Sequence, residues 1–174
     1  MRFSGRVVLF ALLSFLALGT SARAQFPTPG PEHKYFERFV GTWDATVDSQ
    51  GEISKGTAVY KMDLGGLWLV STFEASFGDV KFSGRGYDGY DPARKKYVGV
   101  WIDSMSTSPM TFEGTLKDNV LTAVSETVGP DGKPVKANLV TEAKDRDTMV
   151  FTMSMPDGNG GSQTMMTVTY KRRK

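Results

Sequence analysis

Residues 87–105, YDGYDPARKKYVGVWIDSM, decide how the rest of the chain is read. Two alternating segments flank a turn at Asp91-Pro92-Ala93-Arg94, the pattern of a β-hairpin with long arms. Odd positions carry Tyr97, Gly99, Trp101 and Asp103, and even positions carry Val98, Val100, Ile102 and Ser104. Both faces hold apolar groups, so alternation alone leaves the inward face open. Aromatic rings mixed with one acid and a glycine are the composition of a pocket wall, which is mostly apolar with a few placed polar groups. The odd face is therefore expected inside.

Working upstream, the same zigzag begins at Trp43-Asp44-Ala45-Thr46-Val47. Further strands are expected at Lys55–Met62, Leu67–Ser76, Val80–Tyr90, Lys96–Met105 and Met110–Lys117. The remainder fall at Val120–Val128, Pro134–Lys144, Thr148–Met155 and Ser162–Arg172. Turn residues with a steric reason to be there separate them: Leu64-Gly65-Gly66, Gly78-Asp79, Lys117-Asp118-Asn119, Gly129-Pro130-Asp131-Gly132 and Asp157-Gly158-Asn159-Gly160-Gly161. Short connections favour antiparallel neighbours, and a long twisted meander tends to close because closure removes unpaired edges. The expected fold is all-β: an up-and-down antiparallel ten-stranded barrel with one short N-terminal helix. That helix is read over Pro31–Val40, with Tyr35, Phe36, Phe39 and Val40 on its apolar face and Gly41 at its end.

Before the helix the composition changes twice. Residues 1–24 carry Arg2 and Arg6, a twelve-residue apolar run from Val7 to Leu18, and Ala22-Arg23-Ala24. That run falls short of the roughly 20 residues a membrane-spanning helix needs. The segment reads as a secretory signal peptide cleaved after Ala24, and the protein as periplasmic or secreted. Residues 25–31, QFPTPGP, read as an extended linker, leaving 32–174 as the barrel domain. The full chain has 21 Lys and Arg against 19 Asp and Glu. Removing Arg2, Arg6 and Arg23 leaves 18 bases against the same 19 acids. Such a balance argues against nucleic acid as a partner, because phosphate neutralisation needs a clustered positive surface. The chain has no Cys, which removes disulfides, thiolate nucleophiles and a lipid-modified N-terminal cysteine as a stable membrane anchor.

Gly41-Thr42-Trp43, after a short helix and opening the first strand, resembles the Gly-x-Trp signature of lipocalins and other calycins. In that resemblance the Trp closes the barrel floor beneath an Arg from the last strand, and Arg172 is the matching residue. A longer likeness takes in Glu32-His33, Lys55-Gly56-Thr57, Gly65-Gly66-Leu67-Trp68, Gly89-Tyr90-Asp91, Tyr97 to Met105 and Thr169-Tyr170-Lys171-Arg172. It resembles the bacterial domain-of-unknown-function family 1579. The resemblance implies a lipocalin-like barrel and an exported protein, and implies no established activity. Haem, which some calycin-like barrels hold through a strand His, lacks an axial ligand here, since the single His, His33, lies in the helix. No cofactor is expected, and His33 itself is expected at the surface.

Pairing odd with odd across the turn would put Arg85 and Tyr87 on the face of Asp103, with Trp68 and Glu74 extending the wall. An inward carboxylate needs a partner, so an Arg85–Asp103 pair, or backbone amides on Asp103, is expected. Asp88 and Asp91 are read as turn-bonding residues. Gly84-Arg85-Gly86-Tyr87-Asp88-Gly89 matches G-x-G-x-x-G, but a strand follows it where a dinucleotide site needs a helix. Asp157-Gly158-Asn159-Gly160 lacks the closing Glu of a calcium loop.

The leading expectation is an exported protein that binds a small, largely apolar molecule in the barrel. Trp68, Glu74, Arg85, Tyr87, Tyr97, Trp101 and Asp103 are the candidate contacts, and Gly41, Trp43 and Arg172 the structural residues. One alternative is a filled barrel acting as an interaction module, a homodimer joined through Val98, Val100 and Ile102. A carboxylate-dependent enzyme working through Asp103 and Glu74 is the remaining one, although no nucleophile–base pair is visible.

Overall fold

The computed structural model describes residues 26–128 and 132–174. The expected signal peptide and the Gly129-Pro130-Asp131 part of one turn lie outside the described residues. Ten strands form a closed antiparallel barrel in which each pairs with its sequence neighbours and the first with the last. They are β1 (Gly41–Ser49), β2 (Glu52–Asp63), β3 (Trp68–Phe77), β4 (Val80–Asp91), β5 (Lys96–Asp103), β6 (Met110–Lys117), β7 (Val120–Val128), β8 (Pro134–Ala143), β9 (Thr148–Pro156) and β10 (Ser162–Arg172). Closure runs from Trp43 opposite Arg172 to Asp48 opposite Thr167, so no strand edge is left unpaired.

The helix is shorter than the expected Pro31–Val40. A 3₁₀ turn, Pro31–His33, leads into a single α-turn, α1 (Lys34–Glu37). The chain then leaves through three-residue bonds, Phe39 N to Phe36 O at 2.9 Å and Val40 N to Glu37 O at 3.3 Å. So short a helix has almost no stability of its own and is held by docking. Tyr35, Phe36 and Phe39 are buried, while Val40 turns outward, 41% exposed. His33, expected at the surface, is buried. Its Nδ1 accepts from Gly30 N at 3.0 Å, and its ring stands edge-on to Phe36 and Tyr90.

These side chains close one end of the barrel. Phe36 and Tyr35 stack edge-on against Tyr97 of β5, whose hydroxyl donates to Glu32 O at 3.1 Å. Trp43, 1% exposed, donates from Nε1 to Phe39 O at 2.7 Å. The Arg172 guanidinium lies 4.1 Å from the Trp43 ring and donates to Val40 O and Arg38 O, each at 2.6 Å. Arg172 thus satisfies carbonyls at the helix end while covering the indole, a stacked cation on an apolar floor. Gly41 adopts φ +132°, and a Cβ there would come within 2.8 Å of Arg172 Nη1, so this approach requires glycine.

Candidate functional site

The barrel is hollow. A cavity of about 900 Å³ runs from the helix-plugged floor to a mouth formed by Ser49 and by Met105, Ser106, Ser108 and Pro109 of the β5–β6 loop. Along most strands its wall residues share one parity, with Val100 of β5 and Glu126 of β7 as exceptions. The wall includes Leu69 and Phe73 of β3, Phe112 of β6, Leu139 of β8 and Phe151 of β9. Met149, Met153 and Met166 also line it, flexible thioethers on a wall that must fit some apolar surface.

The odd face of β5 points inward. Trp101 and Asp103 line the cavity, and Ile102 on the opposite face is 47% exposed. Trp101 lies over two glycines of β4. A Cβ at Gly84 would collide with the indole, and a Cβ at Gly86 would reach Trp101 Cε3 at 3.2 Å. Glycine there is what lets a large ring lie flat along the wall. Trp101 Nε1 donates to Asp103 Oδ2 at 3.0 Å, and Met105 N donates to Asp103 Oδ1 at 2.8 Å. Asp103 is therefore held by an indole and a backbone amide at the mouth.

The expected Arg85–Asp103 pair does not form. The strands pair Tyr90 with Tyr97 and Asp91 with Lys96, so odd residues oppose even ones, and Arg85 faces Ile102. The odd residues of β4 consequently point outward. Tyr87 is 40% exposed, and Arg85 instead pairs with Glu74 of β3 on the outer surface, 2.9 Å away. Trp68 also lies outside the main cavity, packed over Gly89 and lining a second pocket with Tyr90 and His33. Tyr97 points inward but lies under the helix rather than on the open wall. Of the seven candidate contacts, Trp101 and Asp103 line the main cavity.

The same register reveals a residue that the sequence reading placed in a turn. Asp88 lies on the inward parity of β4 and lines the cavity, opposite Gly99. A Cβ at Gly99 would lie 2.6 Å from Asp88 Oδ1, so the glycine opens the space that the carboxyl occupies. Burial pushes the Asp88 carboxyl up to about 7, and among the described residues no hydrogen bond or cation offsets that cost. Asp91 does bond its own turn, accepting from Ala93 N at 2.9 Å and Arg94 N at 3.1 Å. The signal that separates the two aspartates is parity: Asp88 shares its face with Gly84, Gly86 and Tyr90, none of which is charged.

Three tyrosines share the deep end with Asp88. Burial raises Tyr60 of β2 and Tyr35 of the helix well above the ordinary phenol range, and pushes Tyr170 of β10 up to about 12. The Asp88 charge adds to the rise at all three. The Tyr35 hydroxyl is fully buried and has no hydrogen-bond partner among the described residues. Among the described residues, none that lines the cavity is Lys, Arg or His.

A family model described as "Protein of unknown function (DUF1579)" matches residues 28–172. Among curated proteins no sequence matches. Two solved structures share the fold. Rv2717c from M. tuberculosis is 13% identical with a TM-score of 0.58, over 83% of this chain and 99% of that one. The S-type phycobiliprotein lyase CPES from Guillardia theta is 13% identical with a TM-score of 0.50, over 82% and 93% respectively.

Proposed function

The chain belongs to the DUF1579 family of proteins of unknown function, and from that premise we propose that it is an exported binding protein whose barrel encloses a small, largely apolar ligand. The observation that carries this reading is the cavity of about 900 Å³, shut at one end and lined by Phe, Leu, Met and Trp side chains. A pocket of that size lies within the range that holds drug-sized molecules, roughly 300–1,000 Å³. Burial of the ligand's apolar surface supplies the affinity, and the few polar groups set its orientation. The fold shared with a phycobiliprotein lyase is compatible with an interior that takes a small molecule. Export is supported by the basic start, the short apolar run and the Ala22-Arg23-Ala24 site.

Native mass spectrometry of protein purified from its own compartment, with tryptophan fluorescence as a second readout, tests the binding reading. A co-purifying small molecule whose removal changes the Trp101 emission supports it. An empty barrel that no apolar probe enters overturns it. N-terminal sequencing of the same sample is expected to begin at Gln25. A second reading rests on the outer wall, where Ile102 and Tyr87 lie exposed on neighbouring strands and the helix does not cover them. In it two copies pair through that face, and sedimentation velocity at increasing concentration distinguishes a dimer from a strict monomer.

A further inference from the structure

The floor of the cavity is chemically unlike its walls. The walls are mostly hydrocarbon, thioether and aromatic, with Ser71 and Thr141 among them and Asp103 near the mouth; the floor holds a carboxyl and three phenols. A buried carboxyl without a partner is costly, and such groups in native structures call for an explanation. Asp88 is half-buried and faces the cavity, and no described residue offsets the cost of shielding its carboxyl from water. Gly99 holds open the space beside Asp88, where any side chain would strike Phe112 or the carboxyl itself. Ser71, opposite Gly86 on β3, also borders this space. The second orphan, the Tyr35 hydroxyl, belongs to a residue only 6% exposed that lines the same cavity from the helix.

The charge of the lining narrows the ligand further. Among the described residues its acids are Asp88, Asp103 and Glu126, and none of its lining residues is a base. A ligand with a carboxylate head would meet only like charge and would leave its own charge uncompensated. An ammonium would meet one carboxylate at the floor, and phenol oxygens can accept its remaining N–H groups.

Resting on the reading that the barrel binds an apolar ligand, we propose that the cavity floor is a subsite for a protonated amine, so that the ligand is an apolar amine seated with its ammonium against Asp88 and its hydrocarbon body along the wall. The titratable groups facing Asp88 are Tyr35 from the helix, Tyr60 from β2 and Tyr170 from β10, all neutral phenols through the working range. Asp88 alone therefore sets the pH dependence. Below about pH 7 the carboxyl is protonated and an ammonium must displace that proton. Amine affinity then falls about tenfold per pH unit. Above it the affinity is level until the amine itself deprotonates, at about pH 10.

The test uses the full chain and three probes matched in their alkyl tails: decylamine, 1-decanol and sodium decanoate, titrated below their micelle concentrations. Isothermal calorimetry gives the affinities, with tryptophan fluorescence alongside. Decylamine is expected to bind at least about tenfold more tightly than decanol at pH 8, with decanoate weakest. The advantage is expected to shrink toward pH 5. Asp88→Asn is expected to abolish the preference for decylamine over decanol. The wild-type pH profile tests the same point without the variant. Decanol or decanoate binding as tightly as decylamine, or a flat amine profile from pH 5 to 8, overturns the amine subsite and leaves the binding barrel standing. Failure of all three probes to bind overturns both.

Discussion

Trp43 and Trp101 sit at opposite ends of one barrel and do opposite things. Trp43, in the first strand, is sealed at 1% exposure by the helix end and the Arg172 guanidinium. Trp101 lies half-buried along β5, over glycines on one side and open to the cavity on the other. Both indole N–H groups are satisfied, one by the Phe39 carbonyl and the other by the Asp103 carboxylate. The difference lies in what faces the ring. An indole packed on both sides closes a barrel; an indole packed on one side becomes a wall. A single scaffold thereby keeps a rigid floor and a hollow upper part.

That contrast is broken most sharply by Trp43→Ala. The expected loss is about 3–5 kcal/mol in urea or thermal unfolding, because the floor cannot collapse around the void. Arg172→Ala is expected to cost about 1.5–3 kcal/mol, since the Val40 and Arg38 carbonyls lose charged donors. Arg172→Lys should recover little of this, as an ammonium cannot bridge both carbonyls in one plane. Trp101→Ala is expected to cost only about 1–2 kcal/mol, well below the Trp43 value, because one face of the ring already borders open space. Equal losses at the two tryptophans in parallel melts would show the cavity to be closed up in solution.

Asp88 sharpens the comparison through pH. Its folded-state carboxyl titrates at about 7, above the roughly 3.9 of an unfolded chain. The folded protein therefore holds this proton more tightly, and its contribution to stability is complete below about pH 4. It is lost as the pH rises to about 7 and stays lost above. Asp88→Asn is thus expected to leave stability unchanged near pH 4 and to raise it by about 1–2 kcal/mol at pH 8, allowing for screening by water in the cavity. Urea midpoints at the two pH values check the sign. The smallest effect belongs to the outer surface. Glu74→Ala, removing the exposed pair with Arg85, is expected to shift stability by less than about 1 kcal/mol.

The two faces of β4 show where reading the chain stops. On the neighbouring β5, Tyr97, Trp101 and Asp103 face inward and Ile102 outward, as the alternation suggests, although Val100 also borders the cavity. Across the turn the inference needs the register, and one residue more or less exchanges every side chain between wall and surface. Four residues, 92–95, separate the paired Asp91 and Lys96, so odd faces even and Arg85, Tyr87 and Glu74 go outside while Asp88 goes in. The helix shows a similar limit. Its aromatic spacing is legible, but its length is set by where Trp43 and Arg172 take up the carbonyls of the departing chain.

The residue pattern by itself determined ten zigzag strands, their turns, a docking helix and closure into a barrel, because strand alternation, turn sterics and the cost of open edges are all local consequences of side-chain type. Only the tertiary structure decided that the interior is hollow and that Asp88 stands at its base without a partner among the described residues. Both depend on how strands from distant parts of the chain are staggered around the closure, and a shift of one residue in that stagger is invisible in the alternation of any single strand.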